Sequence, residues 1–397
     1  MKLIFVTPWF GEHATGGMET ITRQTAIRLH RAGYAVEVIT TCIRNFQSDW
    51  ATNFYRPGLD TFEGLPVRRF AVERRDKTAF DRVNAQLMQG KRVSRVDEER
   101  FLREMFRCPT LFEHIGARRD EALFFFAPYM FPTTYRGAAI APHRSAIIPC
   151  LHDEGYAYLD VFRRLMPTVR ALLFFVHAEK ALAERIYGTP PGQIRAVIGG
   201  GVDDDLRGDA QRFRQTYGID GPFFLYVGRK ESGKNVPQLL RYWQHYTEGR
   251  EEATRLLLLG KGDIALPPGA AVTDLGFVNR QDKMDAYAAA TALIQPSLNE
   301  SFSLVLMESW LLKTPVLVHG RCTVTREHVR RANGGLYYND FAEFAATVDY
   351  LLQEKTIARK MGQNGRRYVL EHYRWPTIID QYAEIVAIME TAPEKQP

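Results

Sequence analysis

The first forty residues alternate between apolar and amphipathic segments in an order that few folds allow. A strand, KLIFVT, precedes a glycine pair, an amphipathic helix that ends at Gly33, and a second strand, YAVEVIT. A strand, a helix and a further strand in this order form a βαβ unit, which places the two strands in parallel. The sequence therefore predicts an α/β fold.

The same alternation continues in two series along the 397 residues. A chain of this length commonly folds as two domains. We predict a first domain over residues 1–202 and a second over residues 203–374. A C-terminal helix over residues 375–397 is expected to pack back on the first domain. Residues 44–120 interrupt the alternation of strands and helices in the first domain. We predict that they form an additional, mainly helical segment, a helical excursion on that domain.

Composition narrows the class of ligand. The net charge of +6 suits an anionic ligand or membrane surface, and no dense basic run favours nucleic acid. The four cysteines lie far apart, which indicates reduced thiols without a cysteine metal site. The chain opens directly on a strand, and its apolar runs are shorter than a membrane span. We therefore expect a cytoplasmic protein.

The segment GRKESGKN joins the first strand of the second series to a helix. Arg229 and Lys234 flank the loop, and Asn235 is a suitable N-cap, so this segment predicts a site for a diphosphate. It also nearly matches the P-loop pattern G-x-x-x-x-G-K-[ST]. Asn235 replaces the hydroxyl residue that would hold Mg²⁺. A P-loop NTPase remains an alternative.

The segment NESFSLVLMESWLLK opens on a polar turn that carries Glu300 and continues from Phe302 as an apolar run with helical spacing, which contains Glu308. On one continuous helix Glu300 and Glu308 would be about 12 Å apart on nearly the same side. Two carboxylates so placed would line one elongated polar ligand, and the other interpretation is a solvated helix face. Gly16 and Gly17 also allow two interpretations. The glycine pair could let the backbone approach a ligand closely, or it could form a simple connecting turn.

Taken together, the motifs resemble retaining glycosyltransferase family four, in its bacterial cell-surface polysaccharide type. The matching residues occur in the family's order over most of the chain: Gly16, Gly17 and Glu19; His152 and Asp153; Gly201 to Asp203; Arg229 and Lys234; LLLLGKGD; Leu275 to Phe277; Glu300 and Glu308; and Tyr373 to Trp375. Residues 44–120 carry no resemblance.

The resemblance implies the GT-B architecture, with two Rossmann-like domains whose parallel sheets face each other across a cleft. It makes the first domain the acceptor domain and the second the donor domain. The implied reaction moves a hexose from a UDP- or GDP-linked sugar to a hydroxyl of a glycan or lipid-linked acceptor. The anomeric configuration is retained, and no metal or separate cofactor is needed. Synthesis of cell-surface polysaccharide or lipopolysaccharide is the implied role, with peripheral contact at the inner face of the membrane left open.

The resemblance also implies roles for individual residues. The catalytic set is His152, Arg229, Lys234 and Glu300, and the donor-binding set is Gly16, Gly17, Phe302, Ser303, Leu304 and Glu308. The two cations would neutralise the diphosphate, Glu300 would hold sugar hydroxyls, and Glu308 would bind the ribose. Backbone N–H groups from Phe302 to Leu304 would add contacts.

Two further functions remain compatible with the same donor site. One is a GT-B-shaped nucleotide-sugar epimerase, and the other is a catalytically silent subunit that only binds donor.

The chain departs from the family at Ser301 and Ser303, where the family usually has smaller residues. The run Asp203 to Asp205 imitates a metal-binding DxD motif and is interpreted as a hinge and helix start.

Overall fold

The computed structural model describes residues 1–250 and 254–391. The described chain divides into two compact units. Unit 1 comprises Met1–Gly201 together with the segment that begins at Trp375, and unit 2 comprises Val202–Arg374. The predicted boundary lies at Val202, beside this division. Residues 392–397, the end of the predicted C-terminal helix, lie outside the described residues.

Unit 1 is built from short strands that alternate with helices. Its strands are β1 (Lys2–Thr7), β2 (Val36–Thr41), β3 (Gly58–Phe62), β4 (Leu65–Phe70), β5 (Ala122–Phe126), β6 (Ser145–Ile147), β7 (Ala171–Phe174) and β8 (Ile194–Val197). Its helices are α1 (Gly17–Arg31), α2 (Lys77–Met88), α3 (Arg95–Glu104), α4 (Pro109–Ala117), α5 (Pro132–Tyr135), α6 (Gly137–Ile140), α7 (Asp160–Leu165), α8 (His177–Tyr187) and α16 (Trp375–Glu390).

The strands of unit 1 form one sheet in the order β3-β4-β2-β1-β5-β6-β7-β8. All neighbouring strands are parallel except β3, which runs antiparallel to β4. β1 lies between β2 and β5, so the chain leaves this centre first in one direction and then in the other. This reversal is typical of a doubly wound α/β sheet.

The predicted helical excursion is only partly helical. Residues 44–120 contain α2, α3 and α4, but also the hairpin of β3 and β4, which extends the sheet. The hairpin turns at Glu63 and Gly64, whose φ angles are 50° and 83°. β3 is almost entirely exposed, so it lacks the apolar alternation that marks a strand in a sequence. The helices bury Phe80, Phe101 and their neighbours in the core of unit 1.

The helix α16 completes unit 1. Its Tyr382 ring contacts Phe5 of β1 and Phe125 of β5, with ring centroids 6.5 Å and 5.9 Å away. At its start, the Arg28 guanidinium lies 4.6 Å from the centroid of the Trp375 ring. These contacts cover one face of the central strands with apolar surface from the far end of the chain.

Unit 2 repeats the alternation. Its strands are β9 (Phe223–Val227), β10 (Arg255–Leu259), β11 (Val272–Gly276), β12 (Ala292–Gln295), β13 (Val316–His319) and β14 (Gly335–Tyr338). Its helices are α9 (Ala210–Tyr217), α10 (Val236–Thr247), α11 (Arg280–Ala289), α12 (Leu304–Leu311), α13 (Thr323–Ala332), α14 (Phe341–Gln353) and α15 (Lys355–His372).

The sheet of unit 2 is parallel throughout its described strands, in the order β11-β10-β9-β12-β13-β14. Its strands are nearly continuous runs of buried apolar residues, as expected where helices cover both faces. The prediction of an α/β fold with two parallel-sheet domains is therefore confirmed. No helix in residues 1–250 or 254–391 is long and apolar enough to cross a membrane.

Candidate functional site

The winding of the unit 2 sheet reverses between β9 and β12. The chain continues from β9 to β10 on one side, whereas β12 and β13 follow on the other. Loops at the carboxyl ends of two such strands diverge, and this divergence is where open α/β sheets bind ligands. The loop after β9 carries Arg229 and Lys234, and the loop after β12 carries Glu300.

Two contacts join these loops. The Lys234 ammonium donates to Oε1 of Glu300 at 2.7 Å, and the Asn235 amide donates to the main-chain oxygen of Pro296 at 3.0 Å. The side chain of Glu300 is 10% exposed and that of Lys234 is 25% exposed. Arg229 is nearly half exposed and pairs with Glu231 at 3.1 Å. The predicted cations therefore lie at the switch point, with Lys234 already bound to a carboxylate.

Asn235 does not act as the predicted side-chain cap. Its φ of 58° places it in the left-handed region, and its amide also donates to Gln238 Oε1 at 2.6 Å. The side chain thus ties the start of α10 to the neighbouring loop. This use of Asn235 separates the segment from a P-loop, in which a hydroxyl at this position would face Mg²⁺.

Close backbone contact fixes the loops after β9 and β10. Gly260 has a φ of 140°, and a Cβ atom there would lie 1.9 Å from the main-chain oxygen of Gly228. Only glycine fits such an approach. Next to it, the Lys230 amide donates to the Lys261 oxygen at 2.8 Å, while the buried Lys230 ammonium pairs with Asp274. The base of the site is rigid and charge-balanced.

The helix that follows Glu300 begins later than predicted. α12 starts at Leu304, and Glu300 lies in the preceding loop, as predicted. The spacing of about 12 Å, which holds only for one continuous helix, therefore does not apply. The turn into the helix passes through Ser303, whose φ is 68° and ψ is 73°. The Ser303 hydroxyl is buried and has no hydrogen-bond partner among the described residues.

Glu308 lies one turn and a half into α12 and receives two hydrogen bonds from α11. The Lys283 ammonium donates to its Oε1 at 2.8 Å, and the Tyr287 hydroxyl donates to its Oε2 at 3.0 Å. Burial, and then the Glu308 charge, raise the pKa of Tyr287 well above its usual value. Lys283 and Tyr287 were not predicted from the sequence, although their spacing of four residues places them on one helix face.

Gly16 and Gly17 lie at the carboxyl edge of the unit 1 sheet, where α1 begins. Glu19 lies over this helix start, because its Oε2 would be 2.0 Å from a Cβ atom at Gly16. The Trp9 indole donates to Oε1 of Glu19 at 2.9 Å and fixes the carboxylate. Gly16 thus makes room for a side chain of its own unit.

His152 lies in the loop after β6, also at the carboxyl edge of unit 1. Its Nδ1 is 3.7 Å from Glu154 Oε1, and its side chain is 27% exposed. The buried Glu179 accepts from the amides of Leu151 and Phe175, both at 2.8 Å, and so links this loop to the end of β7. Burial raises the pKa of Glu179 to about 7 against the effect of these amides. No sequence signal pointed to Glu179.

Of the predicted residues, the structure brings Lys234 and Glu300 into direct contact. Unit 2 holds these two and five others: Arg229, Phe302, Ser303, Leu304 and Glu308. Gly16, Gly17 and His152 belong to unit 1. Asp203 pairs with Arg280 at 3.1 Å and Asp204 with Arg374 at 3.9 Å. The prediction that this acidic run starts a helix is wrong, because α9 begins at Ala210 and is capped by Asp209, and the role as a hinge stays a prediction. The described residues contain no group of three or more His, Cys, Asp or Glu side chains arranged to hold a metal ion.

The topology of the two units is shared with solved structures of other proteins. The chain has the fold of a sucrose-phosphate synthase from Thermosynechococcus elongatus, with a TM-score of 0.70 and 18% identity over 99% of this chain and 100% of that one. Anabaena HepE, solved in complex with UDP and glucose, is similar over 98% and 99% of the two chains, with a TM-score of 0.66 and 14% identity. Both matches place the fold among the GT-B proteins.

The family resemblance lies in the sequence of unit 2. Residues 209–368 match the family model of glycosyl transferases group 1, in keeping with the resemblance seen in the sequence. A D-inositol 3-phosphate glycosyltransferase from Acidothermus cellulolyticus is 32% identical over 189 residues, which are 42% of each chain. The chain spans about half the length of the curated relatives it matches.

Proposed function

We propose that the protein transfers a hexose from a nucleoside-diphosphate sugar to a hydroxyl of a glycan or lipid-linked acceptor. The observation that carries this proposal is the junction of Lys234, Glu300 and the N-terminus of α12 at the switch point of unit 2. The junction combines a cation, helix N–H groups and a carboxylate. These groups suit a diphosphate and a sugar hydroxyl placed side by side.

Lys234 and Arg229 are the proposed partners of the diphosphate. The Lys234 ammonium has three N–H donors, and Glu300 accepts from one of them, so donors remain for phosphate oxygens. Arg229, nearly half exposed, can exchange Glu231 for a phosphate. Positive charge held beside the diphosphate stabilises it as it leaves the sugar. The proposal therefore assigns this task to side chains, without a metal ion or separate cofactor.

The two carboxylates are the proposed partners of hydroxyl groups. Each oxygen of Glu308 accepts one hydrogen bond from α11 and keeps a second acceptor position. The two oxygens thus suit the adjacent hydroxyls of a ribose. Glu300 would bind hydroxyls of the transferred sugar through Oε2, since its Oε1 already accepts from Lys234.

For the chemical step we propose a front-face displacement with retention of the anomeric configuration. The leaving phosphate would take the proton of the acceptor hydroxyl as the new glycosidic bond forms. A covalent glycosyl-enzyme adduct trapped with a fluorinated donor would exclude this mechanism. The contributions of Gly16, Gly17 and His152 remain predictions, as do the UDP or GDP identity of the donor and the role at the cytoplasmic face in polysaccharide or lipopolysaccharide synthesis.

The test is a thermal-shift screen with UDP, GDP, ADP and their sugars, without metal. A ligand at a hundred times its dissociation constant stabilises a protein by about 2.7 kcal/mol. We expect the nucleotides of one base, UDP, GDP or ADP with its sugars, to raise the melting temperature of the wild type. The same ligands should not stabilise the variant Arg229→Ala/Lys234→Ala. The matched control is Arg330→Ala/Lys360→Ala, which removes two exposed cations of the same unit and should respond like the wild type.

The other outcomes separate the alternatives. A shift only with ATP or GTP and Mg²⁺ would favour the P-loop NTPase. Conversion of the donor sugar in the absence of acceptor would favour an epimerase. Donor binding without transfer to any hydroxyl acceptor would favour the silent subunit. If no nucleotide binds, the proposed function is wrong.

A further inference from the structure

A cavity of about 720 Å³ lies at the edge of unit 2 where the strands of its sheet begin. Its lining includes Pro222 before β9, Arg255 at the start of β10 and Pro315 before β13. Because the strands are parallel, this amino edge is opposite the carboxyl edge that carries Lys234 and Glu300. Sites for small organic molecules commonly have volumes of about 300–1,000 Å³. The cavity is therefore large enough for such a molecule and lies away from the predicted donor site.

The charge of this cavity is strongly positive. Four cations line it, against the single carboxylate of Asp220, which gives the lining a net charge of +3. The cations are Arg255, Lys313, Lys355 and Arg359. Within residues 1–250 and 254–391, none of these four side chains forms an ion pair or a side-chain hydrogen bond. Their charges are therefore available to an anion in the cavity.

Two of these cations repel each other at the start of α15. Lys355 is the first residue of this helix, and Arg359 lies one turn later on the same face. Like charges at this spacing destabilise a helix, and a cation at a helix N-terminus opposes the helix dipole. The first turn of α15 has no acidic residue, and its N-cap Glu354 makes no side-chain bond to the helix. An anion in the cavity would attract both cations and offset their repulsion.

Helix dipoles account for only part of this charge. Lys313 follows the carboxyl end of α12, where a cation is favourable, so its presence requires no ligand. Lys355 and Arg359 occupy the opposite end of their helix, where the same effect disfavours them. The dipoles of the neighbouring helices therefore do not explain why cations from three different elements surround one cavity.

We propose that this cavity binds a small organic molecule that carries two phosphate groups. A phosphate monoester has a charge of about −1.5 to −2 at pH 7, so two of them match the net charge of the lining. Leu312, Pro315 and Leu351 add apolar surface for a carbon skeleton. The inference is independent of the proposed function, because the lining includes no residue that was predicted for the donor site.

The test is calorimetric titration with fructose 1,6-bisphosphate and with 2,3-bisphosphoglycerate, at an ionic strength of about 0.15 M to screen weak surface attraction. We expect at least one of them to bind the wild type, with one molecule per chain. Lys355→Gln/Arg359→Gln should bind it roughly 10- to 100-fold more weakly, the usual effect of losing bonds between charged groups. This variant should melt no lower than the wild type, because it also removes the repulsion within α15.

Three controls locate the ligand and define its chemistry. Lys360→Gln/Arg367→Gln removes two exposed cations of α15 that do not line the cavity, and it should bind like the wild type. Arg229→Ala/Lys234→Ala should also bind like the wild type, because its substitutions are at the opposite edge of the sheet. Glucose 6-phosphate has one phosphate fewer and should bind at least about 10-fold more weakly than the bisphosphates.

Inorganic diphosphate distinguishes an organic ligand from a free inorganic anion. It is titrated into Arg229→Ala/Lys234→Ala, in which the predicted diphosphate site is removed, and it should bind more weakly than the bisphosphates because it has no carbon skeleton. Equal or tighter binding would show that the cavity takes an inorganic anion, and the proposal of an organic ligand would be wrong.

The inference is overturned if neither bisphosphate binds, or if Lys355→Gln/Arg359→Gln binds them as tightly as the wild type. Equal affinity for glucose 6-phosphate would exclude a requirement for two phosphates. Loss of binding in Arg229→Ala/Lys234→Ala would assign the bisphosphate to the predicted donor site instead. None of these results bears on the nucleotide screen, whose failure would refute the proposed function and leave this inference intact.

Discussion

Unit 1 and unit 2 both place charged side chains at the carboxyl edges of their sheets, but they satisfy them differently. In unit 2, charged side chains pair with one another: Lys234 with Glu300 and Lys283 with Glu308, at 2.7 Å and 2.8 Å. These four side chains are 10% to 28% exposed, so a ligand can reach them. An ion pair at such a position can exchange one partner for a polar ligand.

In unit 1, two charged side chains at this edge, Arg23 and Glu179, bond to the main chain. Arg23 donates to the oxygens of Gly11 and Ala14, at 2.9 Å and 2.8 Å, and so holds the loop that precedes α1. Glu179 holds the loop of His152 in the same way. A charge that satisfies main-chain groups cannot leave them without a cost in stability. We therefore expect the pairs of Lys234 with Glu300 and Lys283 with Glu308 to serve a ligand, and Arg23 and Glu179 to serve loop structure.

The largest expected effect is on catalysis in unit 2. Glu300→Gln should lower kcat/KM roughly 100-fold, about 3 kcal/mol, because an amide cannot match the charged acceptor offered to sugar hydroxyls. The free energy of unfolding should change by less than about 1 kcal/mol, since the amide oxygen still accepts from the partly exposed Lys234. Initial rates and urea unfolding measure the two quantities.

Glu371→Gln removes an exposed carboxylate from the same unit and serves as the control. A fall in stability as large as the fall in activity would contradict the comparison, because it would make the pair of Lys234 and Glu300 structural.

The next effect is on the stability of unit 1. Burial opposes ionisation of Glu104, but hydrogen bonds from Arg103, the Asp76 amide and Arg107 lower its pKa to about 2. Because the folded pKa is below the unfolded value, this contribution is present above about pH 4.5 and is lost as the pH falls toward 2. Glu104→Gln should therefore lose about 2–3 kcal/mol at pH 7.

Urea unfolding of wild type and Glu104→Gln between pH 3 and pH 7 measures this difference, which should shrink toward acid. Glu99→Gln alters an exposed carboxylate of the same helix and is the control. A difference that stays constant with pH would show that the ionised carboxylate is not what stabilises this part of unit 1.

Arg23→Met should destabilise unit 1 by about 1–2 kcal/mol, since two main-chain oxygens lose a charged donor. Nucleoside diphosphate affinity should not change. Hydrogen exchange should become faster in the loop before α1. If this variant loses nucleotide affinity and keeps its stability, the contrast between the units is wrong.

Lys283→Met tests whether a charge pair in unit 2 prepares a carboxylate for a ligand. Without Lys283, Glu308 keeps only the Tyr287 hydroxyl and is less well fixed. We expect about a tenfold loss of affinity for the ribonucleoside diphosphate, about 1.4 kcal/mol, and a smaller loss for its 2′-deoxy analogue. An equal loss for both ligands would assign Lys283 a purely structural role.

The smallest expected effect is at a solvent-exposed pair. Arg95 and Glu99 are four residues apart on α3, at 3.2 Å, with side chains 71% and 60% exposed. Arg95→Met should change the free energy of unfolding by less than about 0.5 kcal/mol. This variant is also the matched control for Arg23→Met.

The order of strands and loops in unit 2 could be predicted from the sequence, because its strands are apolar runs and its loops carry glycine or charged residues. It could not supply the pairing of Lys283 with Glu308, since residues 25 positions apart meet only through tertiary packing. It also misplaced the start of α12, because the apolar spacing around Glu300 continues through a turn that Ser303 makes at positive φ. The strand β3 was missed because its residues are almost all exposed, so they form no apolar face.

The return of α16 to unit 1 has a consequence for how the chain is made. The N-terminal amino group of Met1 lies 3.0 Å from Glu390, a contact between residues 389 positions apart. During synthesis, unit 2 is complete before α16 has been translated, whereas unit 1 cannot cover Phe5 and Phe125 until then. Domains fold as they emerge, and contacts distant in sequence form late. Unit 1, although first in sequence, thus depends on residues 375–390 for its final packing, whereas unit 2 contains all of its own strands and helices.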